Sequence, residues 1–559
     1  MLSKIYKITF LFCLIFFFQN NSYSKNFDKK NVYNYFSALV SLDNNSIESL
    51  NYFNSSKQLK ESHQSYIKKY IFSLVLNEKV NKAIREIKIT KNKKFTDFFE
   101  AHLLLVLDSI KKNDYKKGFG YLGDLKQYEE KETFEFMISN FLEEYISLFN
   151  YKKIKSNLDD QFGKMSLINR TLQSCYLGHS NTESFFENLT NFNDEGNSRY
   201  LFFYANYLID QNNHLKAKNI FKDVDPLNST LLIAQAKKWI DKGNYDDFRS
   251  IFSCKNSNDI IGEFLFIISN LYSTEDEMEK SNFYFNLSNY LNPKFKFNLT
   301  LLAENYFQKE EFTKSKKVLK NFDKKNEIYY WYRVKKIAQI IDKEKNKEKS
   351  FNYIKTKFNE IEKPSIKIIY EMGNIVKGFE KYDLSIKYYT EILSKLDPSS
   401  IIYADVLYRR GGSYERIGNE KKADEDLLKS LELNPDEPHV LNYLAYSWLE
   451  RNINLEKSME MLEVAFNKKS EDPYIIDSLG WGMYLTGRYE EAEILLQKAV
   501  QLMPLDPIVN DHYADILWKL NKNLQANYFW NYVLNLETTE NEMKDKIKEK
   551  LILGIQNHS

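Results

Sequence analysis

Glycine and proline are scarce in this chain, 17 and 9 among 559 residues, and cysteine is scarcer still at 3. Few glycines and prolines leave few tight turns, which argues against a fold of many short strands. Three cysteines exclude a disulfide-built scaffold. The histidines stand apart at 63, 102, 179, 214, 439, 512 and 558, with no H-x-H or H-E-x-x-H spacing, so neither a metal nor another cofactor is expected. Charge of neither sign dominates, with 79 Lys+Arg against 77 Asp+Glu. A dedicated nucleic-acid binder would carry a basic surplus. Beyond residue 18 no apolar run is long enough to span a bilayer.

Tyr and Phe, by contrast, are abundant at 40 each, and 43% apolar with 28% charged residues is the balance of a folded chain. A length of 559 residues exceeds one ordinary core, so the chain divides into domains or grows as a stack. The N-terminus reads as an export signal. Lys4 and Lys7 precede the apolar run Ile8 to Phe18, and small residues at 22 and 24 place cleavage after Ser24. Cys13 lacks the preceding small residue of a lipoprotein site. The expected location is the periplasm; the alternative is an inner-membrane anchor formed by the uncleaved segment. No span is expected after cleavage. Residues 404–540 hold 24 acidic against 14 basic residues, so the remainder of the exported chain is correspondingly basic.

Two series of small residues run in step. One is Ala303, Ala338, Gly373, Gly411, Ala445, Gly480, Ala514; the other is Ser315, Ser350, Ser385, Ala423, Ser458, Ala492, Ala526. Successive members lie 34 to 38 residues apart and the series stay 12 or 13 apart, the mark of a repeat. Within a unit, Ile476, Leu479, Gly480 and Met483 form one helical stripe, and Ala492, Leu496, Ala499 and Leu502 another. Gly487 suits the left-handed end of the first helix, and Pro504 closes the second. Small residues on facing stripes let paired helices approach closely. Gly373, Gly411, Ala423, Ala445, Ala465, Gly480, Ala492, Ala499, Ala514 and Ala526 are therefore the expected packing positions.

A small residue after Leu479, then Gly487-x-Tyr489, Ala492, Ala499 and Pro504 together resemble the tetratricopeptide repeat (TPR). The likeness is strong over 366–536, moderate over 262–358, and weaker upstream, where Ala205, Ala217, Phe221, Trp239 and residues 242–247 carry it. The expected fold is all-α, a right-handed α-solenoid of TPR-like helical hairpins, about 14 of them held by neighbour-to-neighbour contact. The expected divisions are a signal peptide (1–24), divergent repeats (25–260), degenerate repeats (261–403), well-formed repeats (404–540) and a capping helix with tail (541–559). Cys175 and Cys254 lie two repeats apart, about 20 Å in a linear stack, so two unpaired thiols are expected.

Nothing in the motifs calls for chemistry. Residues 118–123, "GFGYLG", spell G-x-G-x-x-G, yet a helical pattern rather than a strand precedes them, and Gly118 falls at a packing position. No nucleophile elbow or P-loop is present. The expected function is non-enzymatic protein or peptide binding by a scaffold or adaptor; the alternative is an enzyme with an unrecognised catalytic region in 28–260. By resemblance to TPR modules, the inner face of the first helices would carry Tyr408, Asn442, Tyr446, Tyr474, Asp477, Trp481, Tyr484, Asp511, Asp515 and Trp518. Such a groove is aromatic and acidic, unlike the Lys, Arg and Asn of TPR clamps for chain-terminal carboxylates, and favours an extended or basic peptide. Residues 404–536 are also similar to long TPR proteins of the bacterial envelope, among them adaptors of carboxy-terminal processing proteases. That resemblance implies an envelope protease or its substrates as partners; the lipidated cysteine of some members is missing.

Overall fold

The structure, a computed structural model, describes residues 29–555 except 43–45, 129, 131–132, 155–161 and 191–197. The expected signal segment, with Cys13, lies outside the described residues. Thirty α-helices are present among the described residues, with three short 3-10 turns and no strand. They run as antiparallel pairs, as the repeat spacing predicts. The segment 118–123 lies inside the helix Tyr115–Lys126, so its glycines form no phosphate loop. The described part of 29–260 is likewise helical throughout. None of the described helices is long and apolar enough to cross a membrane.

Local chemistry explains where helices start and stop. Asp472 caps the helix Pro473–Leu485 by accepting from the backbone N–H groups of Tyr474 and Ile475, with Pro473 in the first turn. Asp506 and Pro507 repeat the device one unit later, on the helix Pro507–Lys519. The turn inside each unit needs one left-handed residue. Gly487 supplies it at φ 82°, but Glu380, Asn452 and Asn521 adopt the same conformation at equivalent turns. The turn is thus set by register, and glycine marks only some copies.

The small residues sit where helices touch. A Cβ on Gly480 would lie 2.8 Å from Leu496 Cγ, one on Gly411 3.1 Å from Leu427 Cγ, and one on Gly373 2.9 Å from Tyr389 Cε1. Ala423, Ala445, Ala465, Ala492, Ala499, Ala514 and Ala526 are all buried. At four positions where serine takes the small-residue place, its hydroxyl finds a carbonyl on the partner helix. Ser315 donates to Ala303 O at 2.9 Å and Ser350 to Ala338 O at 2.7 Å. Ser49 and Ser269 do the same to Ala38 O and Ser281 O, both at 2.7 Å. These four hydroxyls are satisfied, so serine keeps the close approach there without a desolvation penalty; Ser385 instead donates to Tyr382 O in its own helix, and Ser458 Oγ is buried with no partner among the described residues.

The chain divides into two compact units, residues up to 224 with 229–357, and 225–228 with 358 onward. The first unit departs from nearest-neighbour stacking. Its helix Gln64–Leu76 packs on the helix Met278–Leu291, more than 200 residues later. Phe72 stacks on Phe283 at 4.8 Å, and the Asn286 amide donates to Val75 O at 3.1 Å. Phe134 meets Tyr272 edge-on at 4.8 Å, and Lys111 Nζ lies 3.5 Å from the centre of the Tyr290 ring. A part-buried Arg199–Glu263 pair, with two 2.7 Å hydrogen bonds, ties helices 64 residues apart. The first unit therefore curls back on itself.

That curl corrects the expectation for the cysteines. Cys175 and Cys254 form a disulfide, with Cα atoms 5.9 Å apart. The linear estimate failed because it stacked successive pairs along one axis. Lys255 reinforces the junction, donating to Cys175 O at 2.6 Å.

Candidate functional site

The expected groove residues lie on the first helices of the C-terminal pairs: Ile401–Arg416, Pro438–Glu450, Pro473–Leu485 and Pro507–Lys519. A final helix, Asn541–Leu553, begins 34 residues after Pro507. That spacing is one repeat step, so it takes the register of a first helix, and it packs on the helix Asn523–Asn535.

Aromatic residues cluster into a wall on this face. Trp481 is stacked between His512, at 4.0 Å and 12° between planes, and Tyr484, at 4.7 Å and 12°. Its indole N–H donates to Glu450 at 2.7 Å. Tyr446 lies 6.4 Å from the His512 ring, and burial with nearby carboxylates holds its phenol above the ordinary range. Tyr408 meets Tyr443 edge-on at 5.9 Å. Tyr474 projects into solvent, 61% exposed. Trp481, Tyr484 and Tyr446 are half-buried. Asn442 holds its side-chain oxygen buried with no hydrogen-bond partner among the described residues.

The carboxylates are placed differently from the aromatics. Asp477 is buried and faces His512, whose Nδ1 lies 3.1 and 3.0 Å from its two oxygens. Burial alone would lower the His512 pKa. The Asp477 charge and hydrogen bond, with help from Asp511 and Asp515, outweigh it and raise the pKa above its usual value. Asp511 and Asp515 share one ammonium: Lys550 Nζ reaches all four of their oxygens at 2.8 to 2.9 Å. Asp515 also accepts from Trp530 Nε1 at 3.0 Å. Burial, then the Asp511 charge, push its carboxyl up to about 6 against the pull of Lys550. So the three acids are spent in ties between successive first helices. Trp518 packs on Trp530 at 5.3 Å, and a side chain at Gly554 would collide with its ring.

This face is built of units whose period is the decisive observation. Residues 404–437 match the tetratricopeptide repeat. The matched TPR unit holds Ala404, Gly411 and Ala423 at its helix contacts. Over 100 residues the chain is 30% identical to the TPR repeat-containing protein PA4667 of Pseudomonas aeruginosa, covering 18% of this chain and 17% of that one. The chain thus spans under a fifth of that relative. Among solved structures it is similar to TTC0263, a TPR protein of Thermus thermophilus (16% identity, TM-score 0.30, covering 34% of this chain and all of that one). It is also similar to PilF of Pseudomonas aeruginosa (18% identity, TM-score 0.28, 34% of this chain and 85% of that one).

Sequence reasoning missed His512, Lys550 and Glu450. A signal for two of them was present. His512 follows Asp477, and Lys550 follows Asp515, by 35 residues, one repeat step. A base one period after an acid on the same helix face is the pattern of a ladder through the stack.

Proposed function

We propose that this chain is a non-enzymatic scaffold of the bacterial envelope whose C-terminal TPR units bind protein or peptide through their first-helix face. The observation that carries the reading is the aromatic wall of Tyr446, Trp481 and Tyr484. Half-exposed aromatics fixed by stacking and by neighbouring rings offer contact area at little entropic cost, as binding hot spots do. The exposed Tyr474 and the carboxylate of Glu450 flank it. Because Asp477, Asp511 and Asp515 are engaged within the fold, aromatic contact rather than a row of acids selects the partner. Export is supported by the signal-like N-terminus and by the Cys175–Cys254 bond, which suits an oxidising compartment. The adaptor role, with an envelope protease or its substrates as partners, rests on the resemblance to envelope TPR proteins alone.

The test compares full-length protein with Trp481→Ala/Tyr484→Ala as bait in envelope extract, with crosslinking and mass spectrometry. Asp477 is unsuitable for this purpose, since its loss strands a buried histidine. Partners retained by the wild type and lost by a double variant of unchanged helical content support the wall as the binding face. An identical partner set from both proteins sinks it.

A further inference from the structure

A second site lies upstream of the aromatic wall, within the same C-terminal unit. The helices Ile366–Gly378, Tyr382–Leu393 and Ile401–Arg416 border an open cavity of about 400 Å³ lined by Asn374, Lys377, Gly378, Tyr382, Arg409 and Arg416. Three of the six lining residues are cations. Such a concentration is unexpected in a region whose neighbouring repeats are acidic.

The cations differ in how they are compensated. Arg409 donates to Asp405 at 3.2 Å and lies over the Tyr370 ring. Arg416 stands 3.7 Å from the adjacent Glu415, and Glu540 acts on it from further away. Lys377 has neither an ion pair nor a hydrogen bond among the described residues. Burial, then the charges of Arg409 and Arg416, lower its pKa to about 8, with Glu415 opposing. Gly412 makes room for it: a Cβ there would lie 3.1 Å from Lys377 Nζ. Asn374 accepts from Tyr389 at 2.7 Å through its oxygen, and its NH₂ is turned to the Tyr370 hydroxyl.

We infer that this cavity is a binding site for one carboxylate group, held by Lys377 with Arg409 and Arg416 around it. The charge count selects the ligand. Asp405 and Glu415 already serve the two arginines, so one positive charge is uncompensated, and a monoanion matches it better than a phosphate dianion. The carboxylate belongs either to a free organic acid or to an acidic side chain on a bound peptide. The site shares no residue with the aromatic wall, so it stands or falls separately from the peptide-binding reading.

The unpartnered amine supplies its own readout. Full-length protein is treated at pH 8 with limiting acetylating reagent, and modification of Lys377 is followed by mass spectrometry. Acetate, phosphate or chloride is added at constant ionic strength, and a blocked Gly-Glu-Gly peptide forms a further arm. A bound carboxylate pairs the ammonium and returns its pKa toward the usual value. Labelling of Lys377 should then fall on the order of tenfold at saturating acetate, with no change in chloride. Protection by the blocked peptide at much lower concentration assigns the carboxylate to a peptide side chain; equal or weaker protection assigns a free acid. Arg416→Gln, at an exposed position that leaves the fold intact, should weaken acetate protection severalfold, and Arg409→Gln should do so more strongly. Labelling indifferent to acetate, or protection unchanged in Arg416→Gln, overturns the site. Phosphate protecting better than acetate overturns the carboxylate assignment.

Discussion

His512 Nδ1 lies 3.0 Å from an oxygen of Asp477, and both side chains are only 8% exposed. The two residues are 35 positions apart, one repeat step, and they join the first helices of successive units. The same step separates Tyr370 from Asp405, whose hydroxyl-to-carboxylate bond is 2.7 Å, and Asp515 from Lys550 at 2.8 Å. A ladder of polar contacts therefore accompanies the apolar stacking. Each rung fixes the rotation of one helix pair on the next, because a buried charge without its partner is costly.

The Asp477–His512 rung makes stability depend on pH. The folded-state pKa of His512 is raised, so its contribution is complete below the ordinary value of about 6.5 and is lost as pH rises through the folded value. Asp515, raised to about 6, acts in the same direction over a lower window, present below about 4 and lost as pH rises past its folded value. Urea unfolding of wild type and His512→Gln at a series of pH values should give a stability difference that shrinks above neutrality. A difference independent of pH between about 5 and 9, roughly the span of histidine titration, contradicts the charged pair.

Lys550 is the other rung. Replacing it by Met leaves Asp511 and Asp515 facing each other without a cation. The expected loss is about 3 kcal/mol, read by urea unfolding followed by tryptophan fluorescence. The loss should diminish in acid, where Asp515 takes up a proton. Lys550→Arg should retain most of the stability, since a guanidinium also spans two carboxylates.

Gly480 and Gly120 give opposite outcomes for the same substitution. Gly480→Ala places a methyl 2.8 Å from Leu496 Cγ and should cost about 1–3 kcal/mol by overpacking. Gly120 sits in a helix with nothing within 4 Å of its would-be Cβ. Gly120→Ala should stabilise by about 0.5–1 kcal/mol through helix propensity. Equal effects at the two sites would contradict the helix contact at 480.

Cys175 and Cys254 should be unreactive to thiol reagents in protein prepared without reductant, even when it is unfolded, until a reductant is added. The bond closes a loop of 79 residues, so its removal by Cys175→Ala/Cys254→Ala should cost up to about 4 kcal/mol of loop-closure entropy. Two free thiols in unfolded, unreduced protein would refute the pairing.

The repeat, its two helices, their turn and the small residues between them were legible in the amino-acid order alone. These features are local, or recur at a fixed period, and each copy supports the reading of the next. Gly480 at a helix contact follows from helical spacing, whereas the placing of 446, 481 and 484 on the inner face rests on the resemblance to TPR modules. The uses of the polar groups were decided by tertiary structure. Asp477, Asp511 and Asp515 look like solvent-facing acids until the following helix brings His512 and Lys550 against them. Lys377 looks like any surface lysine until Arg409 and Arg416 crowd it. The closure of the first unit, with the cysteine pair it creates, depends on how small rotations between helix pairs accumulate over 200 residues. No single repeat contains that information, because the angle is set by side-chain packing at every interface along the way.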